Sequence, residues 1–251
     1  QENLQNIYSF NNSSYKFICV LFFLIETFRY LICNNLATLN LVLYGTFVDN
    51  YSMSIAKQKR SKYRIEKILD TAESIIESSG VESISVAKIS EISGLKRTST
   101  YKFFQNPNQI KQLLIEKYIN EIAEELNNKN GDIYTNEPSV VILKCTNIIY
   151  EYFLTNNQAQ ELILKNTLNP SINKSSIHAL GKSIQTYVDS NIKMPSFFNK
   201  DGVFRVLAQI ILSVFSLNAK EDGVLNEVGK IEAHRAGHAY ILNWIEQSKE
   251  N

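Results

Sequence analysis

The sequence predicts an all-α fold, and three observations lead to that prediction. Apolar residues recur at spacings of three and four, the period of an α-helix, over most of the chain beyond residue 63. The four prolines all lie between these periodic segments, as expected where proline separates helices. No segment alternates apolar and polar residues over the length of a useful strand, and no internal repeat is present.

The composition is that of an ordinary globular protein, and it excludes several classes of protein. The 251 residues are 44% apolar and 20% charged, and the net charge is +1. These values exclude a disordered acidic protein, a histone-like polycation and a multi-span membrane protein. Three cysteines are too few for a disulfide scaffold. Because the net charge is near zero, any binding to nucleic acid must come from a local basic patch.

Residues 1–52 differ from the rest of the chain because they carry only five charged side chains. Their longest apolar run, Phe17–Ile25, is shorter than the about 20 residues that a membrane-spanning helix needs. The first methionine is Met53, and a basic stretch follows it. We therefore expect residues 1–52 to be a leader outside the folded protein, with a membrane anchor through residues 17–43 as the alternative.

The first predicted helix begins near Tyr63 and ends before Gly80. Its apolar residues fall on one stripe, and charged residues occupy the opposite face. Gly80 stands where a residue with positive φ commonly ends a helix. The stripe consists of Ile65, Ile68, Leu69, Ala72, Ile75 and Ile76.

Two short helices are predicted next, joined by a glycine turn. Ser85 is suited to cap the N-terminus of a helix over residues 86–92. Gly94 stands where the chain must reverse, and a third helix over residues 96–104 combines basic, hydroxyl and aromatic side chains. Two short helices with such a turn, and with polar and basic groups on the second, form a helix-turn-helix.

The charge of this region favours contact with DNA. Lys57–Lys111 holds 11 Lys and Arg residues against 6 Asp and Glu residues, a surplus of +5. Thr98, Ser99 and Tyr101 offer hydroxyls for phosphate contacts. Arg97, at the start of the third helix, has the bidentate donor geometry that reads guanine in the major groove.

The region between Arg64 and about Tyr118 resembles the DNA-binding domain of the tetracycline-repressor-like (TetR/AcrR) family. The residues that carry the resemblance are the run 94–104, the run 85–90 and the first helix. The resemblance implies that the third helix enters the major groove, with base-edge roles for Arg97 and Thr98. It implies phosphate or mixed roles for Ser85, Ser99, Tyr101 and Lys102.

Three positions depart from the family pattern. Lys96 stands where the family usually has a Ser or Thr cap, and Thr100 replaces a buried Leu. Pro107 occupies the place of a phosphate-binding Lys, for which Lys111, one turn on, is the candidate substitute. The alternative to DNA reading is a three-helix element that makes only protein contacts. The candidate DNA-binding residues are Ser85, Lys96, Arg97, Thr98, Ser99, Tyr101, Lys102 and Lys111.

We assign residues 53–110 to the helix-turn-helix domain and residues 111–251 to a helical sensor and dimerisation domain. The segment Val203–Leu217 is apolar on nearly all sides, so one face can serve its own core while the other needs a partner. The resemblance implies a homodimer through the last two helices, and the alternative is core packing within one subunit. The helices of this domain are predicted near 110–127, 139–154, 158–168, 172–192, 202–217 and 222–247.

Aromatic residues in the middle helices are numerous enough to line an apolar pocket, although such residues more often form plain core. The resemblance implies an unidentified small-molecule effector, which a pocket of this kind would make largely apolar, and no ligand-contact residue is singled out. The residues concerned are Tyr150, Tyr152, Phe153, Phe197 and Phe198.

The sequence offers no catalytic or metal-binding constellation. His234 and His238 are spaced to share a metal, but no third ligand is fixed, and Cys145 is expected to be an inert buried thiol. We find no phosphate-binding glycine loop, dinucleotide fingerprint or nucleophile elbow, so no cofactor and no enzyme activity are expected. The sequence thus predicts a cytoplasmic, homodimeric, ligand-responsive transcriptional regulator, most often a repressor in the resembled family. The alternative is a membrane-tethered interaction protein whose helix-turn-helix does not read DNA.

Overall fold

Every regular element in the described part of the chain is helical, in agreement with the prediction. The structure, a computed structural model, describes residues 58–131, 135, 137–166, 171–196 and 198–248. The leader or anchor expected in residues 1–52 therefore lies outside the described residues. The elements are α1 (58–79), a 3-10 turn (Val81–Ser83), α2 (Val86–Ser93), α3 (Arg97–Phe103), α4 (Pro107–Asn128), α5 (Pro138–Thr155), α6 (Asn157–Ala159) with a π-helical turn (Gln160–Lys165), α7 (Lys174–Asn191), α8 (Lys200–Glu221) and α9 (Glu227–Gln247).

The helix-turn-helix forms at the residues that predicted it. The hydroxyl of Ser85 accepts a hydrogen bond from the amide of Lys88 at 3.1 Å and so caps α2. Gly94 ends α2 with φ 68°, a left-handed conformation that glycine adopts without steric cost. Gly80 ends α1 with φ 79°. These bonds and turns set the direction in which α3 leaves α2.

The long helix α4 follows α3 and begins with a well-formed cap. The Asn106 side chain accepts a hydrogen bond from the amide of Gln109 at 3.2 Å, and Pro107 takes the first turn, where its missing N–H costs nothing. This placement explains why a proline is tolerated at position 107. Over 22 residues α4 packs against α5 and α7, so it connects the helix-turn-helix to the remaining helices.

The helix α8 lies between α7 and α9 and supplies much of the core. Phe204, Leu207 and Phe215 are completely buried, whereas Leu217 on another face is 58% exposed. By length and composition α8 could span a membrane, but 56% of its apolar window is buried against the protein. Such burial is usual for the core helix of a globular domain.

Candidate nucleic-acid interface

The helix α3 presents one polar face and one packed face. Lys96, Arg97, Thr98, Tyr101 and Lys102 are exposed, and Ser99 is half-buried. Thr100 is fully buried and Phe104 is 6% exposed, so the opposite side of α3 packs into the domain. Six of the eight candidate DNA-binding residues therefore lie together on one helix and its N-cap.

The N-terminus of α3 lacks a side-chain cap, because Lys96 cannot accept a hydrogen bond there. The Lys96 carbonyl instead accepts from the amides of Ser99 at 2.8 Å and Thr100 at 3.1 Å. The Thr100 hydroxyl also donates to this carbonyl at 3.4 Å, which satisfies a polar atom placed where an aliphatic side chain would pack. The departure at Thr100 is thus accommodated locally, whereas the N-terminus of α3 stays without a side-chain cap.

Two contacts orient side chains on the exposed face. The guanidinium of Arg97 lies 5.7 Å from the centre of the Tyr101 ring, within the range of a cation–π interaction. Arg64 on α1 donates from Nη1 to the Ser99 hydroxyl at 3.4 Å. Sequence reasoning missed Arg64 as part of this surface, because only the tertiary fold brings α1 beside α3.

Ser85 and Lys111 have different surroundings from the α3 residues. Capping α2 uses a lone pair of the Ser85 oxygen, and the hydroxyl proton can still be donated to a phosphate. Lys111 is only 6% exposed, and its ammonium lies 3.9 Å from a carboxylate oxygen of Glu82. A phosphate contact by Lys111 would require its side chain to leave Glu82.

A second exposed surface, which we call the α8–α9 face, is aliphatic. On α8, Val206 is 42% and Leu217 58% exposed, and on α9, Val228 is 61% and Ile231 48% exposed. Val224, before α9, is 50% exposed. Val206 and Leu217 are eleven positions, about three turns, apart, and Val228 and Ile231 are three apart, so each pair lies on one side of its helix.

Two small residues of α9, Ala233 and Gly237, lie on its inner side. A Cβ atom at Gly237 would stand 2.9 Å from Cδ1 of Leu207 on α8, and Ala233 is fully buried. These residues therefore let α9 approach α8 of the same subunit. The aliphatic residues of the α8–α9 face are available to a second subunit, and so is Ala239 of α9, which is exposed.

Two aromatic residues of α5 pack in the core against Phe215 of α8. Tyr150 and Phe153 each meet Phe215 edge to face, with ring centres 6.1 and 6.3 Å apart. Phe198 is 90% exposed, and Phe197 lies outside the described residues. A cavity of about 480 Å³ lies between the π-helical turn, the segment before α7 and α8, and Leu217 of the α8–α9 face is part of its lining. Its lining mixes apolar and polar side chains, including Ile163, Ile172, Leu212, Gln209, Ser213 and Lys220.

The histidines and the cysteine take part in packing. The rings of His234 and His238 stack at 5.9 Å, and Nε2 of His234 lies 3.2 Å from the carbonyl of Ser139. Among the described residues, no group of three His, Cys, Asp or Glu side chains could hold a metal ion. Burial raises the pKa of the Cys145 thiol to about 12, so it stays protonated and unreactive near neutral pH.

Solved structures similar to this chain include three transcriptional regulators. A TetR transcriptional regulator from Rhodococcus sp. RHA1 has a TM-score of 0.57 at 12% sequence identity, covering 73% of this chain and 98% of that chain. A TetR-family transcriptional regulator from Streptomyces coelicolor has a TM-score of 0.54 at 16% identity, covering 72% of this chain and 99% of that chain. Thermus thermophilus FadR, a TetR-family repressor in complex with lauroyl-CoA, has a TM-score of 0.53 at 14% identity, covering 71% of this chain and 93% of that chain.

No protein-family model matches the chain, and no curated protein matches it significantly. The likeness is therefore one of structure, and it extends over nearly the whole length of each solved regulator. It includes both the helix-turn-helix and the helices that follow it. This chain has the fold of the TetR-family transcriptional regulators.

Proposed function

We propose that the chain is a homodimeric transcriptional regulator that binds operator DNA and responds to a small molecule, acting as a repressor. The observation that carries the proposal is the polar face of α3, where cationic and hydroxyl side chains are exposed while the opposite face is packed. The fold that the chain shares with solved TetR-family regulators supports it. The proposed division is residues 53–110 for DNA binding and residues 111–251 for sensing and dimerisation.

In this proposal α3 lies in the major groove with its N-terminal end toward the base edges. Arg97 reads guanine with two parallel N–H bonds, and Thr98 contacts a neighbouring base. The remaining groups contact phosphates and set the register of the helix on the duplex. They are Ser85, Lys96, Ser99, Tyr101 and Lys102.

We propose that two copies pair through the α8–α9 face. Covering its exposed aliphatic side chains removes apolar area from water, which favours association by about 25 cal/mol per Å². A two-fold dimer presents two α3 helices, which can enter successive major grooves about 34 Å apart. The symmetry of the operator would then mirror that of the protein.

Effector binding would act by shifting a population. A ligand that binds more tightly to a dimer whose α3 helices no longer match successive grooves lowers the affinity for the operator. The cavity between the π-helical turn and α8 is the proposed binding site for such a ligand. Because Lys220 and hydroxyl groups accompany its apolar lining, we propose an effector with both a polar and an apolar part. A regulator of this kind acts where the chromosome is, in the cytoplasm.

A salt titration with random-sequence duplex tests the DNA-binding function. The chain should retard the duplex at low salt, and the affinity should fall linearly on logarithmic axes as salt rises, because bound phosphates release counterions. Two variants change the α3 face, Arg97→Ala and Lys102→Ala. The control is Glu125→Gln, which leaves that face unchanged. Absence of retardation even at low salt would refute DNA binding and favour the interaction-protein alternative.

A further inference from the structure

A cluster of polar side chains lies where α1, α4 and α5 meet. The ammonium of Lys117 on α4 donates to both carboxylate oxygens of Glu73 on α1, at 2.8 and 3.0 Å. The same ammonium lies 4.0 Å from Glu121, one turn further along α4. The hydroxyl of Tyr152 on α5 donates to Glu121 at 2.5 Å. Three helices are thus joined through four side chains.

The cluster continues into the interior at Tyr152. The side-chain amide of Asn156 donates to the Tyr152 hydroxyl at 3.2 Å, and its oxygen accepts from the Ala159 amide, which caps α6. The Tyr152 ring packs edge to face on Phe153, with ring centres 5.8 Å apart. Phe153 packs in turn on Phe215 of α8. Tyr152 therefore touches both the polar cluster and the aromatic core of the C-terminal helices.

The members of the cluster are partly withdrawn from water. The side chains of Lys117 and Glu73 are 36% and 23% exposed, and that of Glu121 is 38% exposed. Burial lowers the pKa of Lys117, but the bond to Glu73 and the negative charges of Glu73 and Glu121 raise it by more, so its net pKa is raised. Burial, with the bond to Glu121, raises the pKa of Tyr152, so its hydroxyl remains a donor.

Directional bonds can fix an orientation that apolar packing leaves adjustable. Hydrogen bonds weaken steeply when their angle departs from linearity, whereas the hydrophobic effect is non-directional. The hydrogen bond from Lys117 to Glu73 holds α1, and α1 also holds α3 through the contact of Arg64 with Ser99. A shift of α5 would thus be felt at the helix proposed to read DNA.

We propose that Tyr152, Glu121 and Lys117 are positioning residues that fix the helix-turn-helix relative to the sensor helices, and so set the separation of the two α3 helices in the dimer. This inference rests on the proposed function. Tyr152 does not touch α3, and it acts through Glu121, Lys117 and Glu73. Movement of the aromatic core would break the Tyr152–Glu121 bond first and release the helix-turn-helix from its DNA-binding orientation.

The test uses Tyr152→Phe and Glu121→Gln in the full chain, with Glu125→Gln as the matched control. Glu125 lies one turn along α4 from Glu121, and its carboxylate lies 3.9 Å from the ammonium of Lys129. The duplex is one selected from a random pool by the unchanged chain, together with duplexes whose half-site spacing is one or two base pairs longer or shorter.

Tyr152→Phe and Glu121→Gln should each lower affinity for the selected spacing by about two- to tenfold, the net contribution of one hydrogen bond. The ratio of affinities between the selected spacing and the altered spacings should also become smaller. The double variant should bind the selected duplex with about the affinity of whichever single variant binds it less tightly, because both substitutions break the same connection. Equal losses on all spacings, or multiplied losses in the double variant, would overturn the positioning role.

A second measurement does not depend on DNA binding. Amide hydrogen exchange should be faster over residues 64–79 of α1 in Tyr152→Phe, although Tyr152 has no bond to α1, and unchanged in Glu125→Gln. Unchanged exchange in Tyr152→Phe would overturn the inference. If the unchanged chain bound no DNA, the proposed function would fail, while the exchange experiment would still decide whether Tyr152 restrains α1.

Discussion

The α3 face and the α8–α9 face are both exposed, yet they have opposite chemistry. The α3 face carries cations and hydroxyls, with Tyr101 41% exposed beside Arg97. The α8–α9 face carries aliphatic side chains, with Leu217 and Val228 58% and 61% exposed. Each is backed by fully buried residues, such as Thr100 under α3 and Leu207 under α8. Both faces are thus supported by residues packed beneath them, and they differ in the kind of partner that each can bind.

This difference indicates two classes of partner. Aliphatic side chains gain free energy when another protein surface excludes water from them. Cationic side chains lose hydration on burial, and only an anion such as phosphate compensates for that loss. We therefore expect substitutions on the two faces to change different measurements, the oligomeric state for one and the salt dependence or sequence preference for the other.

The largest expected effect comes from charging the α8–α9 face. The double substitution Val228→Glu and Ile231→Glu places carboxylates in the proposed interface, where they would lose hydration without a partner. The chain should sediment as a monomer and lose roughly 100-fold or more in operator affinity, about 2.7 kcal/mol. Leu143→Glu on α5 is the control, because Leu143 is 42% exposed outside this face and should leave the dimer intact. A dimer that persisted in the double variant would place the interface elsewhere.

Arg97→Ala should have the next largest effect, and on the other face. Loss of a bidentate contact should cost about 1–3 kcal/mol on the operator and relax the sequence preference, with no change in sedimentation. Binding isotherms on operator and scrambled duplexes measure it. Equal weakening on both duplexes would show that Arg97 does not read a base.

Two glycines allow the same substitution to be made beside each of the two faces. Gly94 before α3 and Gly223 before α9 have φ 68° and 78°, and a Cβ at either would meet no atom within 4 Å. Gly94→Ala and Gly223→Ala should each destabilise the chain by about 1–2 kcal/mol, because an L-residue is strained there. In urea unfolding the two losses should be similar, but only Gly94→Ala should weaken DNA binding beyond its effect on folding. Equal effects on DNA binding would remove the distinction between the two turns.

The smallest effect concerns single phosphate contacts. Lys102→Ala should weaken operator and random duplex by similar factors and lower the salt slope by about one unit. Lys111→Met should leave the slope unchanged, since the Lys111 ammonium faces Glu82 and its side chain is buried. Affinities at four or five salt concentrations would distinguish them. A reduced slope in Lys111→Met would show that this side chain turns to DNA in the complex.

The local parts of this fold could be predicted from sequence. Ser85 capping α2, Gly94 with positive φ and the exposure of Arg97 each depend on neighbours within a few residues. The all-α class and the order of helices followed from the periodicity and the prolines. The prediction of one α-helix over 158–168 differs most from the structure. There α6 ends at Ala159, and the π-helical turn that follows it ends at Lys165.

Contacts between distant segments could not be predicted in the same way. The pairing of Lys111 with Glu82 and the bond of Tyr152 to Glu121 depend on how α4 packs against other elements. The inward direction of Gly237 likewise depends on the position of Leu207. Periodicity shows that a residue lies on a helix face, but not which helix covers that face.

Selection of bound duplexes from a random pool reports both whether the chain reads DNA and how the two α3 helices of the dimer are spaced. The account predicts a two-fold symmetric consensus whose half-sites are centred about 10 base pairs, one helical turn, or a multiple of that apart. It also predicts that the monomeric Val228→Glu, Ile231→Glu variant enriches no paired half-sites. An asymmetric consensus, or a pool that shows no enrichment over its starting composition, would contradict the account.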